Sequence, residues 1–177
     1  MKRWTRELVK LDACQEAVDW SQQFETFEEA WAQCERGDRM LWLMGRLSSY
    51  PDSDSRRQLV LAACQCARLA LPYVQKGEER PLKAIETAEK WARREDNITL
   101  EDVEAAANAA FYVAHTAAYP AANAAFYVAN AAAYPAANAA ADAAADANAA
   151  ARLDVLKQCA DILREYFPLP SLRKEVK

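Results

Sequence analysis

The chain has 177 residues, 53% of them apolar, which is enough for one domain with a substantial core. Only three glycines are present, too few for a turn-rich sheet protein, and the formal net charge of -4 disfavours non-specific nucleic-acid binding. We therefore expect one all-α domain over residues 1–177, a compact bundle of about seven to eight helices.

Amphipathic helices are predicted over 11–98, beginning with a helix at 12–24, where apolar residues recur at helical spacing. Thr26 followed by Glu29 has the pattern of a capping box and predicts a second helix that ends at Arg36-Gly37. Residues 38–47 are apolar on nearly all sides, so we expect the central core helix there. The expected shared core comprises Trp31, Leu41, Trp42 and Leu43.

Further helices are expected over 55–75, where Pro72 kinks or ends the helix, and over 81–94. Thr99 has the features of an N-cap, with Asp102 three residues on and Ile98 placed to pack against Val103. Ala-rich helices are predicted over 99–168, followed by a tail at 169–177. The apolar stripe predicted for the last helix comprises Leu153, Leu156, Ala160, Leu163 and Phe167.

A tandem 15-residue repeat covers 108–137, as NAAFYVAHTAAYPAA and then NAAFYVANAAAYPAA. Each copy carries a proline, Pro120 or Pro135, which removes a backbone donor and breaks or kinks the helix there. The plainest interpretation is helix-packing scaffold. An Ala/Tyr recognition surface, or a seam between copies of the chain in a homo-oligomer, stays open as the alternative.

The sequence contains no phosphate-binding loop, nucleophile elbow or metalloprotease motif, and we predict a non-enzymatic protein without cofactor or metal. The only histidine, His115, is replaced by Asn130 in the second repeat. The odd number of cysteines and their spacing favour five reduced, mostly buried thiols rather than disulfides or a zinc site. A charged N-terminus and the lack of a strongly apolar run predict a cytoplasmic location without membrane contact.

Acidic residues are segregated along the chain. Residues 11–35 contain seven carboxylates and no basic residue, and residues 95–151 again contain seven and none. If the two segments lie side by side, they form a negative patch suited to a cationic protein partner. Ordinary solvated carboxylates are the alternative. The predicted partner-binding residues are Glu25, Glu28, Glu29, Glu35, Asp38, Glu101, Asp102 and Glu104.

Several stretches resemble the bacterial immunity proteins of the Imm-5-like type: DACQEAVDWSQQFETFEEAWAQCERGDRMLWLMGRL, CARLALPYV, GEERPLKAIETAEKWAR and CADILREYFP. The resemblance implies an all-helical protein that neutralises a toxin of interbacterial conflict, and it assigns no catalytic residue. A nuclease toxin would suit the acidic segments, because its cleft must be basic to hold phosphate. The alternatives are a phage-borne inhibitor of a host defence nuclease and a self-assembling helical protein joined through the Ala/Tyr repeat.

Overall fold

A computed structural model of the chain describes residues 2–48, 53–74, 76–111 and 149–168, and these residues form eight α-helices and no strand. The predicted all-α fold is confirmed. The predicted breaks or kinks at Pro120 and Pro135 lie outside the described residues. The helices are α1 (Arg3–Lys10), α2 (Gln15–Ser21), α3 (Phe27–Gln33), α4 (Gly37–Leu47), α5 (Asp54–Arg68), α6 (Arg80–Arg93), α7 (Leu100–Phe111) and α8 (Ala149–Tyr166), with a short 3-10 helix at Leu71–Tyr73.

Two predicted helix starts are confirmed in detail. Thr26 precedes α3 as a full capping box: its side chain accepts from the backbone N–H of Glu29, whose carboxylate accepts from the Thr26 N–H. Thr99 and Asp102 exchange the same kind of hydrogen bonds ahead of α7. These bonds satisfy backbone donors that have no partner inside a helix.

Helix ends follow from local backbone chemistry. Asp12, just after α1, and Arg94, which ends α6, both have positive φ angles, 64° and 60°. The backbone turns out of the helix at such left-handed residues. Pro72 lies in the 3-10 helix after α5, so α5 ends at Arg68, before the proline.

The hydrophobic core is shared by α3, α4, α5, α6, α7 and α8. Helix α8 packs on α4 and α5, α5 also packs on α6, and α6 on α7. Small residues permit close approach: a Cβ atom built on Gly37 would lie 2.4 Å from Cys159 Cβ and 2.7 Å from Leu156 O. Alanines and cysteines fill the α5 face, including Ala62, Ala63, Cys64, Cys66 and Ala67.

Two buried carboxylates are held by arginines. Arg68 donates to both oxygens of Glu89 at 2.9 and 2.8 Å, joining α5 to α6. Asp38, fully buried in α4, accepts from Arg36 at 2.8 and 2.6 Å. Because a carboxylate buried without a partner is costly, these bidentate pairs let the charges lie within the fold.

Several predictions for single elements were wrong. Helix α1 was not predicted, and the helix expected over 12–24 is only the short α2. Gly37 begins α4 instead of ending α3, since α3 already ends at Gln33. Trp31, Leu41 and Leu43 are buried as expected, but Trp42 is half-buried.

One further burial prediction failed, and the expectation of mostly buried thiols holds for four of the five cysteines. Leu153, expected on the apolar stripe of α8, is 66% exposed, whereas the other four stripe residues are buried. Cys14 is exposed at the N-cap position of α2, so only four of the five cysteines are core residues. The free state of all five thiols agrees with the prediction.

Candidate functional site

The eight predicted partner-binding residues do not share one free acidic surface. Glu25 pairs with Lys2 at 2.9 Å, and Glu35 pairs with Lys157 at 2.8 Å. The Lys157 ammonium donates to Glu35 and lowers the pKa of that carboxyl. Both carboxylates are therefore already matched by a cation from another part of the chain.

Three more of the predicted residues serve the fold. Glu29 and Asp102 act in the caps of α3 and α7, and hydrogen bonds from Thr99 lower the pKa of the Asp102 carboxyl. Asp38 is fully buried against Arg36, so it is not a surface contact and that assignment is corrected. Arg36, only two positions away, donates hydrogen bonds to both oxygens of the Asp38 carboxylate and so compensates the cost of its burial.

The remaining three residues lie apart. Glu28 is half-buried on α3, while Glu101 is exposed and Glu104 half-buried on α7. Helix α7 packs chiefly on α6, and no extensive packing joins it to α2 or α3 in the described part of the chain. Within the described residues, the two acidic segments thus do not combine into the continuous patch that segregation along the sequence indicated; the stretch 112–148 of the second segment lies outside them.

Within the described residues, a half-open pocket lies between α1, α2, α3 and α4, with a volume of about 420 Å³. We call it the aromatic pocket. Its volume falls toward the lower end of the roughly 300–1,000 Å³ typical of ligand sites. The aromatic and large apolar side chains that line it are Trp4, Leu8, Trp20, Phe27, Trp31, Met40, Trp42 and Leu43.

Helix geometry brings these rings together. Trp4 and Leu8, one turn apart on α1, share a face that lies over α3, where the Trp4 and Phe27 rings meet edge to face at 5.9 Å. Phe27 and Trp31 repeat the one-turn spacing on α3, with ring centroids 6.0 Å apart. The Trp4 indole also donates to Glu25 O at 3.2 Å, which fixes α1 against the start of α3.

Charged residues at the pocket rim each have an ion partner within the fold. Asp12 binds Arg46 at 2.9 Å, and Glu16 binds Arg39. Arg36 is held by the buried Asp38. The rim therefore presents balanced ion pairs around an apolar interior.

Two polar side chains in the pocket wall are buried. Trp31 is 3% exposed, and its Nε1–H has no hydrogen-bond acceptor among the described residues. Ser21, also buried, supplies a hydroxyl to the wall. A buried N–H without an acceptor is rare in folded proteins, so the Trp31 indole is a costly group in the wall of this pocket.

Two cysteines line the pocket but differ in environment. Burial raises the pKa of the Cys34 thiol, so it stays protonated and weakly nucleophilic. Cys14 lies exposed at the same pocket. The only histidine of the chain, His115, lies outside the described residues. Within those residues, neither thiol therefore has a histidine beside it that could act as its base.

The sequence contained a signal for this pocket that composition and charge did not reveal. Trp4 and Leu8 are one helical turn apart, and the same is true of Phe27 and Trp31. Their convergence depends on how α1 lies across α2 and α3, which no local pattern specifies.

Comparisons with models of protein families, with curated proteins and with solved structures find no match to this chain. In the described ranges no helix is both long enough and apolar enough to span a membrane. Those same ranges hold no group of three or more side chains suited to a metal ion.

Proposed function

We propose that this chain is a non-enzymatic binding protein that neutralises a partner protein by receiving one of its side chains in the aromatic pocket. The observation that carries the proposal is the 420 Å³ pocket with four tryptophans in its wall. Buried tryptophan-lined pockets are where protein interfaces concentrate their binding energy, because aromatic side chains contribute a large desolvated area.

The resemblance to immunity proteins supports a toxin as the partner. A protein of that kind works by occupying a surface and needs no catalytic group. The α7 carboxylates Glu101 and Glu104 would then steer a basic toxin during the encounter, and the aromatic pocket would supply the lasting contact. This division of roles replaces the continuous acidic patch expected from the sequence.

Growth rescue tests the proposal. Genes flanking this one in its source genome are expressed singly from an inducible promoter, and those that stop growth are co-expressed with the full chain. We expect rescue by the wild type. Ala17→Trp, which places a large ring in the pocket wall, should abolish rescue, whereas Ala105→Trp on the exposed face of α7 should retain it.

Equal rescue by both folded variants would show that the aromatic pocket is not part of the binding surface. Loss of rescue only when Glu101 and Glu104 are changed to Lys would instead favour the acidic mechanism. Circular dichroism and expression level must be equal across the variants before growth is compared.

A further inference from the structure

The last described residues of the chain lie near the aromatic pocket. Helix α8 ends at Tyr166, Phe167 is buried in the core, and Pro168 is exposed at the surface. The sequence continues as LPSLRKEVK at 169–177, which we call the tail and which lies outside the described residues. We propose that the tail docks in the aromatic pocket of its own chain and covers it until a partner displaces it. The docking concerns this chain alone, whereas its regulatory effect rests on the proposed function of the pocket.

Contacts of Arg164 place the last turn of α8 beside the pocket wall. The guanidinium of this residue donates to Cys34 O at 2.9 Å and to Trp31 O at 3.4 Å. It also lies 3.7 Å from the sulfur of Met40. All three of the contacted residues line the pocket. The tail therefore leaves the fold on the side of the molecule that carries the pocket.

The tail is long enough to reach the pocket interior. At about 3.3 Å per residue, an extended segment of this length spans roughly 30 Å. The helix in its path, α3, has seven residues and is therefore about 10 Å long, with a diameter of roughly 10 Å. The tail can thus pass around α3 and enter the pocket from its open side.

The outward-facing charge at the pocket rim is negative. The side chains of Asp12 and Glu16, which line the pocket, are 84% and 77% exposed. The arginines that pair with them are less exposed, Arg46 at 46% and Arg39 at 14%. A basic segment that approaches the rim therefore meets carboxylates before it meets guanidinium groups.

The composition of the tail matches this site. Two leucines three residues apart, Leu169 and Leu172, are followed by Arg173 and Lys174. Leucine side chains suit the apolar interior of the pocket, because their burial removes apolar area from water. Basic residues directly after the leucines suit the carboxylates of the rim. Length, position and charge therefore select the tail as the occupant.

Attachment to the same chain makes a weak contact effective. A short flexible link holds its two ends at an effective concentration in the millimolar range. If the free tail peptide binds with a dissociation constant of about 0.1 mM, the attached tail occupies the pocket about nine-tenths of the time. Only the open fraction can receive a partner, so the apparent affinity for the partner falls about tenfold.

A synthetic peptide of residues 169–177 tests the docking by NMR titration of full-length proteins. The recipients are the wild type, the double variant Leu169→Asp/Leu172→Asp, called the tail variant, and the tail variant with Ala17→Trp added. We expect the peptide to bind the tail variant about tenfold more tightly than the wild type, because the attached tail no longer competes. Ala17→Trp should abolish binding by filling the pocket.

Indole resonances locate the bound peptide. The ¹H–¹⁵N signals of Trp4, Trp20 and Trp42, which line the pocket, should shift as the peptide is added to the tail variant. The signal of Trp91, which does not line the pocket, should shift much less. The same three pocket signals should differ between the wild type and the tail variant without any peptide.

Two further peptides are matched controls. A peptide with Leu169→Asp/Leu172→Asp should not bind the tail variant. A peptide with Arg173→Glu/Lys174→Glu should bind about threefold to tenfold more weakly, and this difference should shrink as salt is raised, because exposed charges are screened.

Three results would overturn the docking: equal affinity of the peptide for the wild type and the tail variant, binding retained with Ala17→Trp, or no binding. If Ala17→Trp does not fold, the peptide-free comparison still decides, and identical pocket signals in the wild type and the tail variant would refute the inference. Differences that grow with protein concentration would show docking between copies and would equally overturn it.

The regulatory effect has its own measurement. The tail variant should bind the partner found by growth rescue about tenfold more tightly than the wild type does. Equal affinity would overturn the regulatory part. Failure of the docking is distinct from failure of the proposed function, because the peptide titration needs no partner and growth rescue tests the pocket without altering the tail.

Discussion

Asp38 has a structural role, since it is completely buried and accepts two hydrogen bonds from Arg36. Asp38→Asn should lower the free energy of unfolding by about 1.5–3 kcal/mol, the usual range for a hydrogen bond to a charged group. Urea denaturation measures the loss. The matched control is Asp12→Asn in the exposed Asp12–Arg46 pair, which should change stability by less than about 1 kcal/mol. Equal losses would contradict the assigned roles.

One of the five thiols should react rapidly with a thiol reagent, and the other four should react slowly. Cys14 is exposed, whereas Cys34, Cys64, Cys66 and Cys159 are buried. Burial raises the pKa of Cys34, Cys64 and Cys66, so their reactive thiolate forms are scarce at neutral pH. Titration of the native protein with an aromatic disulfide should show one rapid equivalent, absent from Cys14→Ser, and four more on unfolding. Rapid reaction of a second thiol would show that part of the core opens easily.

At the scale of helices, the contact of α4 with α8 depends on Gly37. A Cβ there would lie 2.4 Å from Cys159 Cβ and 2.8 Å from Ala160 N, so an added methyl group must displace backbone. Gly37→Ala should therefore destabilise the protein by about 1–3 kcal/mol or more, as overpacking does. In an uncrowded position the same change would stabilise by roughly 0.4–1 kcal/mol through the unfolded chain. Thermal or urea unfolding shows whether Gly37→Ala lowers or raises the free energy of unfolding, and so decides between the crowded and the uncrowded position.

The start of α7 should make stability depend on acid pH. Hydrogen bonds from Thr99 lower the pKa of Asp102 in the folded protein from its ordinary value of 3.8. A lowered folded pKa contributes stability above the unfolded pKa, and this contribution disappears as pH falls through the folded value. Asp102→Ala should therefore be less stable than wild type at pH 7, with a gap that narrows below about pH 3.8. A stability difference between the two proteins that does not change with pH would show that the Asp102 charge does not stabilise the cap of α7.

Local patterns predicted helices well where their signals lie within a few residues. The caps at Thr26 and Thr99 and the turn at Pro72 are of this kind, and all three occur in the structure. The predictions failed where tertiary contacts decide. Helix α1 was missed because its charges obscured the Trp4 and Leu8 stripe.

At the scale of the whole molecule, charge along the sequence was a poor guide to charge on the surface. Lys157 of α8 pairs with Glu35, and Arg39 of α4 pairs with Glu16, so basic residues from other segments neutralise part of the first acidic segment. Four helices must pack before the aromatic pocket exists, which is why the candidate site could not be predicted from spacing. The fold class, by contrast, followed from composition and periodicity.

The role of the tandem repeat is a separate question at this scale. Deleting one copy, residues 123–137, tests the alternative in which the Ala/Tyr repeat joins copies of the chain. If the aromatic pocket is the working surface, the folded deletion variant should keep growth rescue and the oligomeric state of the wild type by light scattering. Loss of an oligomer together with loss of growth rescue would favour self-assembly.

The central claim is that the partner is held in the aromatic pocket between α1 and α4. The most direct test uses an inactive form of the toxin that growth rescue identifies. Surface plasmon resonance then measures its affinity for the folded wild type, for Ala17→Trp and for Ala105→Trp. We expect Ala17→Trp to weaken binding at least about tenfold, mainly through faster dissociation, as loss of a central aromatic contact does. Ala105→Trp should bind as the wild type does. Unchanged affinity and dissociation rate in Ala17→Trp would contradict the claim.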